Sequence, residues 1–222
     1  MVLAFDTSGP VGSVAVAQGA EVLARGVMTR QAGHAALLIP TIDDVLEDAG
    51  VDRDEVALVV VGEGPGSFTG VRVAAATAKG LGRALGVPVR AVSSLAAAAF
   101  AADAGPIRYA LFDARAERVY GACWGVGSDH CEELVSPLAG ELRDLLADDV
   151  PPGAVFVGDA ARKHRALIEA AGYPVVEPDR ERPYADGLVA FAARVVGGPV
   201  DDLGAWEPAY VRASSAERLW GA

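Results

Sequence analysis

Cysteine and histidine are both scarce in this chain, and each scarcity removes a class of function. There are two cysteines, Cys123 and Cys131, in 222 residues. Neither their number nor their spacing builds a disulfide framework or a zinc site. A reducing compartment, the cytoplasm, is the expectation. The three histidines, His34, His130 and His164, have no second histidine three or four residues away, so no paired-imidazole metal site is expected. Basic residues are outnumbered, 19 against 30 acidic, for a net charge of −11. A protein that grips nucleic acid unaided usually carries a basic face, and this composition argues against that role. Long apolar runs are missing too. Alanine-rich Ser94–Ala104 is too short to span a bilayer, and the start lacks a basic region followed by an apolar stretch and a cleavage signal. No membrane association is expected. No nucleophile, base and orienting group stand in a recognisable set, which disfavours a peptidase.

What the chain has is apolar bulk and glycine. Hydrophobic residues make up 52% and charged residues 22%, a globular balance. A chain this long buries roughly 70% of its unfolded surface, as one large domain or two small lobes. The least random stretch runs from Gly62 to Arg72. A β-branched run, Val56 to Val61, precedes it and reads as a buried strand. An alanine-rich run, Val71 to Leu85, follows and reads as a helix. Unpaired backbone N–H groups at a helix start favour anions, with Ser67 and Thr69 as candidate caps. Gly64, Gly66 and Gly70 permit positive φ or close backbone approach, and Pro65 stiffens the turn. The standard nucleotide and nucleophile motifs do not fit. Only three residues separate Gly66 from Gly70 and no Gly-Lys follows, Thr69 stands where a dinucleotide fingerprint starting at Gly64 needs Gly or Ala, and Pro65 stands where a nucleophile elbow needs Gly.

Taken in order, Val2–Phe5, Val11–Ala17 and Glu21–Met28 read as strands, the first ending at Asp6-Thr7-Ser8. Gly33–Gly50 reads as a helix with Leu38, Ile42, Val45, Leu46 and Ala49 on one face. Pro40 marks its first turn or kinks it. The small residues of 71–85 allow another backbone to come close, either the chain's own sheet or a second protein. Lys79 and Arg83 share a solvated or rim face. A strand at 86–92 precedes a helix capped by Ser93 or Ser94. Asp103–Pro106 is the best boundary, giving lobes 1–104 and 105–222. In the second half, Arg108–Asp113, Arg118–Trp124 and a weak Cys131–Val135 read as strands, with a turn at Arg115–Glu117. Ser136-Pro137 opens a helix whose apolar face includes Leu138, Leu142, Leu145 and Leu146. A strand at Ala154–Val157, a helix at Ala160–Ala171 and a helix at Gly187–Val196 complete the pattern. Arg162-Lys163-His164-Arg165 is either a solvated helix face or a phosphate contact. The tail, with Trp206, Tyr210 and Trp220 as anchors, reads as a strap over the body, packing back on the first lobe.

The segments VLAFDTS at the start and GPGSFTGVR at 64–72 resemble the TsaB (YeaZ) family. So do Gln31–Ile42 with His34, Asp113-Ala114-Arg115 followed by Val119-Tyr120, and Glu207-Pro208-Ala209-Tyr210-Val211-Arg212. The matching segments span nearly the whole chain in order. The resemblance implies an α/β, two-lobed actin/Hsp70/sugar-kinase-like (ASKHA) fold. It implies a non-catalytic subunit in the synthesis of threonylcarbamoyladenosine on tRNA, a homodimer when alone. Its partners would be a TsaD-like catalytic paralogue, which holds the metal with a His-x-x-x-His pair, and a TsaE-like ATPase. Tellingly, the position four after His34 is Leu38. tRNA would be reached only through the complex. No cofactor of its own is implied, with ATP or ADP at the complex interface. The implied nucleotide-side residues are Asp6, Gly64, Gly66, Ser67 and Thr69; the plain reading of Asp6-Thr7-Ser8 is a turn cap. The partner face falls on His34, Leu37, Leu38 and Ile42 of the first long helix, and on Arg72, Ala75, Ala76, Lys79 and Arg83 of the second. Two other functions compete. One is an independent ATPase or small-molecule kinase with Asp6, Gly64–Gly70 and Gly158-Asp159 lining a cleft. The other is a peptidase.

Overall fold

The structure, a computed structural model, describes residues 1–29, 33–115, 118–128, 130–148, 150–176, 183–195 and 197–211. Gln31, Glu117, Val196, Arg212 and Trp220 lie outside them.

The first half builds one sheet. Strands β1 (Val2–Asp6), β2 (Val11–Gln18) and β3 (Glu21–Thr29) run antiparallel, and β4 (Leu58–Gly62) and β5 (Val89–Val92) extend the sheet in parallel from β1. The order is β3-β2-β1-β4-β5. Helices α1 (His34–Asp48) and α2 (Phe68–Leu85) make the crossovers and cover one face. There Leu3, Phe5, Val14, Val16, Val59 and Val61 pack against Leu38, Ile42, Val45, Ala74 and Ala78. Apolar side chains on both faces of β1 and β4 are what a doubly covered parallel pair requires.

The second half repeats this plan. Strands β6 (Ile107–Asp113), β7 (Arg118–Val126), β8 (Cys131–Glu141) and β9 (Val155–Val157) form a sheet in the order β8-β7-β6-β9. A parallel bridge from Phe156 to Val175 stands where a fifth strand would lie. Helices α4 (Leu142–Asp148), α5 (Asp159–Lys163) and α6 (Arg165–Ala170) cover its outer face, around Tyr109, Leu111, Phe156 and Ile168.

Between the two sheets lie α3 (Ser94–Ala101) and α7 (Tyr184–Ala192). Their core joins Ala4, Ala15 and Val60 of the first sheet to Ala110, Phe112 and Trp124 of the second. Every residue of α3 is buried, which explains an alanine run without an apolar stripe. Gly187 lets α7 meet α3 backbone to backbone: a Cβ there would strike the Ala97 carbonyl oxygen. Arg108 ties the end of α3 to β6, donating Nη1 to the carbonyls of Ala99 and Ala102 at 3.0 and 2.7 Å.

Three expectations from the sequence are corrected. Ser136-Pro137 opens no helix; β8 passes through it. β8 is an edge strand and its register slips between Val135 and Leu138, so the missing proline N–H costs no ladder bond. The helix expected at 160–171 is two, broken at His164 (φ −107°, ψ 21°). The last helix starts at Tyr184, because Gly187 marks close approach inside it rather than a beginning. No helix among the described residues is long and apolar enough to cross a membrane.

Candidate functional site

The parallel order β1-β4-β5 brings three strand ends to one edge of the first sheet, and Asp6, the 62–70 loop and Ser94 meet there. Asp6 is fully buried. Its Oδ1 accepts from the Ser8 backbone N–H at 2.7 Å and the Ser8 hydroxyl at 2.6 Å. Its Oδ2 accepts from the Ser94 hydroxyl at 2.5 Å. The Ser94 oxygen in turn accepts from the Gly64 N–H at 3.0 Å. A buried carboxylate needs such donors, and here every one comes from the chain itself.

The glycines serve the same closure. Gly62 lies against the Asp6 carboxylate, where a Cβ would strike Oδ2. Gly66 presses on the Ser8 carbonyl, with a Cβ position 2.6 Å from that oxygen. A Cβ on Gly70 would strike the Thr7 carbonyl oxygen. Two hydrogen bonds seal the contact: Thr7 Oγ1 donates to the Gly70 carbonyl at 2.6 Å, and Ser67 N–H to the Ser8 carbonyl at 2.7 Å. The 7–8 turn packs directly on this loop. Asp6, Gly64, Gly66 and Ser67 therefore converge, and the turn latches them together. Ser67 is the cap of α2, accepting from Gly70 N–H at 3.4 Å; Thr69 is exposed in the first turn and caps nothing. Ser94 was missed from the sequence, its only signal being a serine pair directly after a strand parallel to the Asp6 strand.

Across the lobes, the β6–β7 turn is the counterpart. Arg115 takes φ 64°, and Asp113 accepts from Arg115 N–H at 2.9 Å and pairs with Lys163 at 3.1 Å. Burial pushes the Asp159 carboxyl above its usual range, opposed by the Ala160 N–H. Tyr184 stands between the two turns, stacked on Phe112 at 5.3 Å and close to Gly9. Burial, then Asp159 and Asp6, hold its phenol well above the ordinary range. The basic run is engaged internally: besides Lys163, Arg165 pairs with Glu169 at 2.9 Å. No group of three or more His, Cys, Asp or Glu that could hold a metal ion occurs among the described residues.

The residues expected on a partner face divide. Leu38, Ile42 and Ala75 are buried in the chain's own core, and His34 is buried as well. They point to the sheet because an amphipathic helix turns its apolar stripe inward, and this corrects their assignment. The His34 ring lies against Gly12, and its Nε2 has no hydrogen-bond partner. Leu37 is half-buried, while Ala76, Arg72 and Arg83 are exposed. Gly80, next along that outer face, has nothing among the described residues within 4 Å of its Cβ position. The tail lies along one flank of α2. Val200 N–H donates to the Val89 carbonyl at 2.8 Å and Ala209 N–H to Glu63 at 3.1 Å. Lys79 Nζ donates to the Gly204 carbonyl at 3.2 Å, so Lys79 faces the tail. Trp206 Nε1 donates to Glu63 at 3.4 Å. Burial raises the Glu63 carboxyl above its usual range, and that hydrogen bond opposes the rise.

Two sheets of matching strand order around a shared helical layer define a two-lobed protein of the ASKHA class. A solved (R)-2-hydroxyglutaryl-CoA dehydratase component A from Acidaminococcus fermentans shares this fold, with a TM-score of 0.51 at 12% identity over 85% of this chain and 95% of that one. Closer likenesses are more specific. A family model described as "TsaD: tRNA N6-adenosine threonylcarbamoyltransferase" matches residues 23–178. A solved Pseudomonas aeruginosa protein described as similar to peptidase YEAZ superposes with a TM-score of 0.79 at 29% identity, covering 95% of this chain and 99% of that one. An uncharacterized Mycobacterium tuberculosis protein is 35% identical over 193 residues, 85% of this chain and 83% of that one. The Bacillus subtilis tRNA threonylcarbamoyladenosine biosynthesis protein TsaB is 28% identical over 228 residues, 99% of this chain and 97% of its own. The chain belongs to the TsaB (YeaZ) family.

Proposed function

We propose that this chain is a non-catalytic subunit in tRNA threonylcarbamoyladenosine synthesis, a platform for a TsaD-like threonylcarbamoyltransferase. The observation that carries the reading is the latch: both oxygens of Asp6 are taken by Ser8 and Ser94, and the glycine loop is pressed onto the 7–8 turn. Chemistry at this carboxylate would first have to displace those donors, which favours a subunit that leaves catalysis to its partner. The nucleotide, ATP or ADP, then belongs at the junction with the partner, and a TsaE-like ATPase joins the assembly there. The kinase and peptidase readings gain no observation of their own.

The partner face is the outer side of α2 with the adjoining side of α1. Gly80 supports this. A glycine inside a helix costs about 1 kcal/mol against alanine, and no neighbour among the described residues needs its missing side chain. With Ala76 exposed one turn earlier, it allows a second helix to approach closely. The homodimer of the isolated chain uses the same face. Size-exclusion chromatography with the cognate TsaD-like protein tests this. The wild-type chain should co-elute as a stable heterodimer, and Ala76→Arg should abolish it. Co-elution of Ala76→Arg at wild-type strength would remove α2 from the interface.

A further inference from the structure

Two segments of the sequence that stand 138 residues apart meet on the surface. Phe68 and Arg72 lie in the first turns of α2, and Tyr210 comes from the tail. The Arg72 guanidinium carbon sits 3.8 Å from the centre of the Phe68 ring, and Arg72 Nε donates to the Tyr210 hydroxyl at 3.1 Å. The rings are 6.0 Å apart and tilted by 39°. Yet both stay wet: Phe68 is 46% exposed and Tyr210 42%. We infer that this cluster is a docking surface, and that it receives an aspartate or glutamate set beside an apolar side chain on the catalytic partner.

Three observations lead there. Aromatic rings with an arginine are the side chains that most often dominate binding interfaces, and here two half-exposed rings are held in place by one. Among the described residues only Nε of Arg72 is used in a hydrogen bond, and none of their ion pairs involves it. Its outer two nitrogens are thus placed for the fork-to-fork grip of a carboxylate. The cluster also sets an exposed cation, Arg72, on a chain whose net charge is −11, while further along the helix Lys79 and Arg83 turn to the tail at Gly204. An isologous dimer sets one patch on its own copy, which would bring Arg72 against its own copy, cation to cation. An acidic partner avoids that cost, so the occupant is the catalytic subunit and self-association is the weaker contact. The inference rests on the proposed function, since it enlarges the same α2 face by the tail.

The test is titration calorimetry of the full chain with the full partner, at low and high salt, with the melting temperature of each variant measured alone. Phe68→Ala, Tyr210→Ala and Arg72→Met should each weaken binding about 10- to 30-fold. Tyr210→Phe should retain most of the affinity. Arg72→Met should flatten the salt dependence, and Arg72→Lys should not restore full affinity because it lacks the fork. A purely structural strap predicts lowered melting temperatures with binding within about two-fold of wild type, and that result overturns the inference. If Ala76→Arg abolishes binding while these variants do not, the docking surface falls and the α2 platform stands. If neither affects binding, both fall. Loss of self-association alone, with partner binding intact, makes the occupant a second copy and also overturns the proposal.

Discussion

Ser93 and Ser94 are neighbours with opposite expected effects. The Ser94 hydroxyl bridges the Asp6 carboxylate at 2.5 Å and the Gly64 N–H at 3.0 Å, both buried. Ser94→Ala removes a hydrogen bond to a charged group, worth about 1.5–3 kcal/mol, and leaves a buried N–H unpaired, which costs about 1–3 kcal/mol. The two losses share one atom and do not simply add, so about 3 kcal/mol is expected. For a chain of this size each kcal/mol moves the midpoint by about 2–4 °C, so the melting temperature should fall by about 6–12 °C. The Ser93 hydroxyl has no partner, and although Ser93 stands at the N-cap of α3 its side chain makes no cap bond. Ser93→Ala should therefore leave stability unchanged or raise it. Urea and thermal unfolding of both variants, with unchanged m-values, gives the comparison. A Ser94→Ala variant within about 0.5 kcal/mol of wild type, the ordinary range for surface substitutions, would refute the latch.

Further expectations concern the helical layer and the tail. Gly187→Val drives a side chain into the Ala97 carbonyl. Backbone cannot yield as a side chain does, so the loss should be about 3 kcal/mol or more, measurable by urea unfolding; wild-type stability would deny the α3–α7 contact. Glu63 titrates higher in the folded chain than in the unfolded one, so the folded state holds more protons across that interval and stability falls as pH rises through the folded value. Glu63→Gln should be at least as stable as wild type at pH 7 and lose any advantage below about pH 4, near the unfolded carboxyl value. A Gln variant that is less stable at pH 7 and equal at acid pH would reverse the sign.

The sequence showed the elements whose patterns are local. The alternation of β3, the apolar faces of β1 and β4, and the inward stripe of α1 are all legible, whereas β2 is buried along its whole interior rather than alternating. Failures came where a distant partner decides. Pro137 reads as a helix start until β8 is known to be an edge with a register slip. Gly187 reads as punctuation until Ala97 is seen against it. The family resemblance points Leu38 and Ile42 to a partner, whereas their helical spacing turns them to the sheet, where they are buried. At the site, Asp6 and the glycine loop were recognised, but their closure was hidden, because it depends on Ser94 arriving from another strand end. The meeting of Phe68, Arg72 and Tyr210 was equally invisible, since neither segment carries a sign of the other.

The central claim is that this fold acts through its partner and not through chemistry of its own. It is tested by reconstituting threonylcarbamoyl transfer from its adenylate to tRNA, with AMP released, using purified TsaD-like and TsaE-like partners, with wild-type chain, with Ala76→Arg, and with none. The account predicts modified adenosine only with the wild-type chain, and none when that chain is supplied without its partners. Modification by this chain alone, or at full rate without it, would contradict the account.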